Sequence, residues 1–277
     1  MELQSTPFVY LILLSNIILS IYGFQNHSFL EKSLFRPLRI LKNKEYERLI
    51  QSGFVHGSWP HLFFNMYSLY LFGKDIELFF GWKLFLCIYF SSLLGGSLLS
   101  LLIHRNDTNY AALGASGAVN GVLFASVLLF PHNEIGLFFI PVFVPGWAFA
   151  ILYTLYTMYG MKSQHDGIGH DAHMGGAIVG MLTTIAFLPG LCLDRPLLIA
   201  AILIPSSIFL YLMVNHPALI GMDPIAPKAK KKMHLDDHYN QIREEKQKEL
   251  DRILDKINRL GVDSLDDYEK RFLDMNT

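Results

Sequence analysis

The sequence predicts an all-α, polytopic membrane helical bundle carrying a small soluble helical hairpin, and three observations predict it. Only 17% of the 277 residues are charged and 52% are hydrophobic, whereas an ordinary soluble domain is about 25% charged. The charges are unevenly placed. Lys228–Thr277 holds 12 Lys+Arg and 12 Asp+Glu, which leaves 23 charged residues in the first 227, too few to solvate a globular surface of that size. Finally, seven charge-free runs cover residues 3–30, 49–73, 84–104, 108–133, 135–161, 172–193 and 196–222. Each exceeds the roughly 20 residues that a helix needs to cross about 30 Å of hydrocarbon. None alternates strictly, which favours helices over barrel strands.

Composition also excludes classes. The net charge of −1 provides no basic face for nucleic acid, and the hydrophobicity rules out a disordered chain. Cys87 and Cys192 are too few for a disulfide scaffold. Both lie in apolar runs and read as small buried hydrophobes.

Taken in order, the first run, TPFVYLILLSNIILSIYGF, lacks a basic leading segment and a small-residue cleavage site, so it reads as a retained span. Residues 25–60 hold Lys32, Arg36, Arg39, Lys42, Lys44 and Arg48. That segment is too polar to span and too apolar for a linker, which predicts a structured interfacial loop. Residues 161–171 carry Gly167 and Gly169 and read as a mobile connection. The expected organisation is a six-span core over 1–195, an additional span over 196–222, a basic linker over 223–235 and a soluble hairpin over 236–277. Lys228, Lys230, Lys231 and Lys232 read as a solvated linker rather than a lipid-binding cluster. In the hairpin, Ile242, Leu250, Ile253, Leu254, Ile257 and Leu260 follow helical spacing. Gly261 is a natural stop, and Ser264 is placed to cap a second helix bearing Leu265, Tyr268, Phe272 and Met275.

Polar groups inside membrane spans are expensive, so each is a functional candidate. Span 2 carries His56, His61 and Asn65. Span 4 carries Gly114-Ala115-Ser116-Gly117, then Asn120 and Gly121. Span 6 carries His170, Asp171 and His173, then Gly175, Gly176 and Gly180. Singly, each has a blander reading: glycine pairs as packing devices, a lone histidine as a helix–helix hydrogen bond. Together they do not. Consecutive spans alternate direction, so spans 2, 4 and 6 start on one side, and each cluster sits at the start of its span.

Residue types suggest the chemistry. Ser116 sits where span 4 begins, beside backbone N–H groups without an intrahelical acceptor, which suit a developing oxyanion. Gly117 and Gly121 on one helix, with Gly176 and Gly180 on the other, allow close approach. His173 then reaches Ser116 as a general base for covalent acyl transfer. His61 and Asn65, four residues apart, share a helical face. No carboxylate sits at an orienting position, which points to a Ser–His dyad.

At Gly114-Ala115-Ser116-Gly117, His61-Leu62-Phe63-Phe64-Asn65 and Ala172-His173-Met174-Gly175-Gly176…Gly180 the chain resembles the rhomboid family of intramembrane serine proteases. Further matches are His56, Arg48 in the first loop, and Leu71-Phe72-Gly73…Glu77…Gly81; the resemblance covers about residues 5–190. It implies Ser116 as nucleophile and His173 as base, with His61, Asn65, Gly114 and the Ser116 N–H stabilising the oxyanion or substrate. His56, Asn120, Gly176 and Gly180 would be supporting residues. It implies substrates that are membrane proteins, recognised in the lipid bilayer through a transmembrane helix entering near spans 2 and 5. It implies no cofactor and no metal, and leaves the oligomeric state open. Asn120 stands where many members carry a Tyr that stacks under the histidine, and Glu47-Arg48 lacks the usual aromatic before the arginine. The seventh run and the tail resemble extensions of some bacterial members.

Two other readings compete. A catalytically silent rhomboid-like binder of membrane helices would typically lack the serine or histidine. A metal-dependent protein would use His165, Asp166, His170, Asp171 and His173, but leaves Ser116, His61 and Asn65 without a role. For orientation, 12 Lys+Arg lie on the motif side against three opposite if the seventh run crosses, which places the motif side in the cytoplasm. If that run, interrupted by Pro205, does not cross, the count is eight against seven. The resemblance places the site on the outer side, in a bacterial inner membrane, and this expectation is adopted; the side of the tail is left open.

Overall fold

The fourth long helix is too short to cross a bilayer, and this shortfall sets where the site lies. A computed structural model describes residues 6–136, 143–163, 167–221, 249–257, 259, 261 and 264–276. The chain divides into two compact units, Met1–Lys232 and Met233–Thr277.

The first unit is a helical membrane bundle. Helix α1 (Pro7–Gln25) leads into a loop of three short helices, α2 (His27–Ser33), α3 (Pro37–Asn43) and α4 (Arg48–Gln51). Then come α5 (Trp59–Phe80), α6 (Trp82–His104) and α7 (Ser116–Leu129). An antiparallel hairpin of β1 (Glu134–Gly136) and β2 (Phe143–Pro145), with Ile135 opposite Val144, precedes α8 (Gly146–Ser163). Helices α9 (His170–Phe187), α10 (Leu191–Asp194) and α11 (Pro196–Asn215) complete the unit. By length and composition α1, α6 and α11 are each sufficient to cross a membrane.

The helix starts are written in the sequence. Ser58 caps α5, its hydroxyl accepting the His61 N–H at 3.3 Å, and Pro60 occupies the first turn, where its missing N–H is harmless. The N-terminus of α1 is capped from another helix: the Glu77 carboxylate accepts the N–H groups of Phe8 at 3.0 Å and Val9 at 2.7 Å.

Helix α7 is buried from Gly117 to Leu129 and sits between α5, α6, α8 and α9. At 14 residues it is about 21 Å long, short of the roughly 30 Å hydrocarbon core. Irregular chain from 105 to 115 covers the difference, which is tolerable only where protein satisfies the backbone. The first loop supplies the partners. Phe35 and Ala112 exchange backbone hydrogen bonds of 2.8 and 3.1 Å, and Gly114 N–H donates to Ser52 O at 2.8 Å. Buried Arg48 holds that loop together, donating to the carbonyls of Glu31 at 3.1 Å and Leu34 at 2.8 Å and pairing with Glu45. The Arg48 guanidinium in turn holds the Glu45 carboxyl below its ordinary value.

Several expectations change. The 108–133 run is not a full-length helix, because the chain turns at Gly114 and becomes helical only at Ser116. The 135–161 run is a hairpin followed by α8; Pro145, lacking an N–H and disfavouring helix before it, delays the start to Gly146. Cys87 and Cys192 are free and exposed, not buried. In a membrane bundle apolar faces turn outward to lipid, so an apolar run does not imply burial.

In the second unit, residues 249–257 and Asp267–Asn276 are helical, with Gly261 at φ +83° between them. Ser264 does not cap: its hydroxyl donates back to Gly261 O at 2.6 Å. Asp266 caps instead, Oδ1 accepting the N–H groups of Tyr268 and Glu269 while Glu269 Oε2 accepts the Asp266 N–H, a reciprocal capping box. Ile242, Leu260, the side chain of Met275 and Lys228–Lys232 lie outside the described residues.

Candidate active site

The polar clusters meet because glycine lets α7 and α9 touch backbone to backbone. A Cβ on Gly176 would lie 1.9 Å from Gly117 O, and one on Gly180 2.5 Å from Gly121 O. No side chain fits in either gap. At the end of this seam, a Cβ on Gly117 would lie 3.3 Å from Ala172 O. Ser116 precedes Gly117 and His173 follows Ala172, so serine and histidine are carried by neighbours of the touching residues. From the other side α6 joins the seam: a Cβ on Gly96 would lie 2.6 Å from the same Ala172 oxygen.

Ser116 is partly buried as the first residue of α7. The first intrahelical bond runs from Val119 N–H to Ala115 O at 2.9 Å. The N–H groups of Ser116, Gly117 and Ala118 therefore precede the helical ladder, at the positive end of the helix. The approach to Ser116 passes under His61. Gly114 has φ +117°, and its missing Cβ would lie 2.7 Å from His61 Nε2. Only glycine provides both the backbone conformation and the room for the ring.

His56 fastens this approach from behind. The buried ring accepts the Ala115 N–H at Nε2 (3.3 Å), and Nδ1 lies 2.9 Å from Ser20 Oγ on α1. Because Nε2 accepts, the ring proton sits on Nδ1 and is donated to the serine. His56 meets His61 edge to face, with centroids 4.9 Å apart. Asn65 lies one turn along α5 and donates from Nδ2 to His61 O at 2.9 Å, which leaves one amide hydrogen for another acceptor.

Buried His173 lies with Nδ1 3.3 Å from the Tyr153 hydroxyl of α8. The Asn120 amide lies near that hydroxyl and donates from Nδ2 to Ser116 O at 2.8 Å, while its buried Oδ1 finds no donor among the described residues. A cavity of about 10 Å³, the size of one water, is lined by His173, Tyr153, Thr157 and, from α11, Ser206. Tyr153 is the residue that sequence reasoning missed. Its signal was the run from Tyr153 to Tyr159, where Tyr153, Thr154, Tyr156, Thr157 and Tyr159 put five hydroxyls on an otherwise apolar span.

Ser116, His173, His61, Gly114, His56, Gly176 and Gly180 are thus drawn into one region. Asp171 turns elsewhere: its carboxylate lies 3.2 Å from His104 Nε2, and His104 stacks on Tyr110 at 3.6 Å. Among the described residues no cluster of His, Cys, Asp or Glu is arranged to hold a metal; His165 and Asp166 lie outside them.

Residues 43–190 match the Rhomboid domain family, and residues 233–276 match a family of unknown function, DUF6576. Rhomboid protein 1, mitochondrial, of Saccharomyces cerevisiae is 34% identical over 137 residues, 48% of this chain and 40% of that protein. RHOMBOID-like protein 12, mitochondrial, of Arabidopsis thaliana is 31% identical over 173 residues, covering 57% and 51%. The human Presenilin-associated rhomboid-like protein, mitochondrial, is 31% identical over 136 residues, covering 48% and 36%. The chain therefore spans about half or less of the length of these relatives. With more than half of its own 277 residues inside the Rhomboid match, it belongs to the rhomboid family of integral membrane proteins.

Proposed function

We propose that this chain is an intramembrane serine endopeptidase that cuts the transmembrane helices of other membrane proteins. The observation that carries the reading is the Gly117–Ala172 contact, because Ser116 and His173 are the chain neighbours of those two residues, while His61 lies against Gly114, two residues before the serine. In the reaction, Ser116 Oγ attacks the peptide carbonyl carbon while His173 Nε2 takes the hydroxyl proton. The carbonyl oxygen becomes an oxyanion, met by the Ser116 N–H, His61 and the remaining Asn65 amide hydrogen. Collapse breaks the C–N bond, and His173 gives its proton to the leaving amine. Water, deprotonated by His173, then hydrolyses the acyl-enzyme and returns the serine. The start of α7 at Ser116 supports this reading, since the N–H groups beside the serine have no intrahelical acceptor.

The proposal keeps the serine end on the outer side of a bacterial inner membrane, which rests on the sequence resemblance alone; the names of the relatives above place those proteins in mitochondria. Cysteines introduced at His27 and Asn106, on the motif side, would label from outside intact cells.

The deciding experiment is cleavage of a single-span reporter in proteoliposomes by wild type, Ser116→Ala and His173→Gln. Cleavage by wild type alone is expected, since loss of the nucleophile or base costs about 10⁴-fold or more. Equal cleavage by Ser116→Ala would end the proposal. Binding of the reporter without cleavage by any of the three would favour a silent helix binder.

A further inference from the structure

We propose that Tyr153 is the positioning residue for His173: its phenolic oxygen accepts the Nδ1–H and leaves Nε2 bare to take the proton of Ser116. The inference rests on the roles given above to Ser116 and His173, and adds the group that sets the tautomer and aim of the ring. A neutral imidazole has one protonated and one bare nitrogen, and which is which follows from the hydrogen bond that the second nitrogen makes. A base that works through Nε2 needs an acceptor at Nδ1. Tyr153 Oη is there at 3.3 Å.

Three features fit the tyrosine to this task. Its ring is fixed, stacking on Phe149 at 5.7 Å and 15° and contacting Phe124 of α7 at 6.1 Å. A tyrosine has only two side-chain torsions to freeze, so aiming it is entropically cheap. Its hydroxyl also lies beside the Asn120 amide, whose Nδ2 holds the carbonyl of Ser116 itself at 2.8 Å. One hydroxyl from α8 thus stands where the serine helix and the histidine helix meet. Nearest in sequence among carboxylates, Asp171 is turned to His104 instead. The His170 ring centroid lies 5.9 Å from that of His173, and Tyr156 meets His170 edge to face at 5.2 Å.

A phenol oxygen carries no full charge. It therefore fixes the ring with little of the imidazolium stabilisation that a carboxylate supplies, so its deletion weakens the base without abolishing it. Against a general-base contribution of about 10²–10⁴-fold, Tyr153→Phe is expected to lower kcat about 10- to 100-fold with KM within about twofold. Tyr159→Phe, an exposed hydroxyl deletion on the same helix, is expected to leave both unchanged.

The test uses the full chain, with a fluorophosphonate probe for Ser116, the single-span reporter for kcat and KM, and ¹⁵N-histidine NMR assigned with His173→Gln. In wild type His173 is expected with Nδ1 protonated and Nε2 bare; in Tyr153→Phe the two tautomers mix, probe labelling slows, and the unfolding temperature stays within a few degrees. If wild type is not labelled, or Ser116→Ala still cleaves, the functional proposal falls and this one with it. If Ser116→Ala is inert but Tyr153→Phe keeps wild-type kcat, the Tyr153 inference alone is overturned. Wild-type His173 found protonated at Nε2 overturns it even if the variant does not fold.

Discussion

A methyl group on Gly176 would sit 1.9 Å from the carbonyl oxygen of Gly117, so the helices bearing His173 and Ser116 meet with no side chain between them. Gly176→Ala must push α9 off α7. Overpacking costs about 1–3 kcal/mol, sometimes more, and a displacement of about 1 Å between two reacting groups can cost about 100-fold in rate. Gly176→Ala is therefore expected to lower the unfolding temperature in detergent and to reduce reporter cleavage at least about tenfold. Gly190→Ala, where a Cβ meets nothing within 4 Å, should change neither. A fully active, normally stable Gly176→Ala protein would contradict the seam.

His56 makes a second test, because it holds the backbone of Ala115 and packs edge to face on His61 without reaching Ser116 itself. Removing its ring leaves a buried N–H and the Ser20 hydroxyl without their partner, at about 1–3 kcal/mol for an unsatisfied buried group. His56→Ala should destabilise the chain by that amount and slow fluorophosphonate labelling of Ser116. Ser20→Ala removes the outer bond, with a long 3.4 Å bond to Phe54 O, but leaves the Ala115 bond in place, and should cost about 1 kcal/mol with labelling nearly intact. Chemical or thermal unfolding together with labelling rates checks both.

What the sequence could and could not reveal divides along physical lines. Charge-free runs located the helices, because lipid tolerates few charges wherever they fall in three dimensions. The parity of the spans brought Ser116, His61 and His173 to one side without any contact information. The same signal failed where hydrophobicity no longer dictates helix. Residues 108–115 are uncharged yet irregular, since the first loop supplies their hydrogen bonds through Phe35 and Ser52. Gly95 and Gly96 passed unnoticed as one more apolar pair, although a Cβ on Gly96 would lie 2.6 Å from Ala172 O. Tyr153 was invisible for a related reason: a tyrosine in an apolar span reads as core until its hydroxyl is seen to face a histidine. In the tail, Ser264 and Asp266 are both sound capping residues, and only the hydrogen bonds distinguish them.

Glu77 supports a third prediction. Its carboxylate caps the first turn of α1 from across the bundle, with bonds of 3.0 and 2.7 Å to Phe8 and Val9. Those N–H groups have no intrahelical acceptor. Glu77→Gln keeps one acceptor oxygen and loses the charge, so a loss of about 1 kcal/mol is expected. Glu77→Ala leaves both donors unpaired and should cost about 2–4 kcal/mol. Hydrogen exchange of the amides in residues 7–10 should accelerate in the same order. Uniform protection across the three proteins would remove Glu77 from this role.

The tail supplies a pH dependence whose sign is fixed by Glu269. Lys256 at 2.7 Å, the Asp266 N–H at 3.0 Å and Arg252 at 2.9 Å surround its carboxylate and lower its pKa from 4.5 to about 2. A carboxyl whose pKa falls on folding contributes stability above its unfolded value and loses that contribution as pH drops through the folded value. Helical structure in the tail should therefore be constant above about pH 5 and weaken between about pH 4.5 and about pH 2, and that acid transition should shrink as added salt screens the pairs. Glu269→Gln should lower tail stability at pH 7 and flatten the acid transition, because the group that titrates is gone. Backbone amide NMR of residues 249–276 in the full chain, followed from pH 7 to pH 2, reads both effects; an acid transition of equal size in wild type and Glu269→Gln would assign it to other groups.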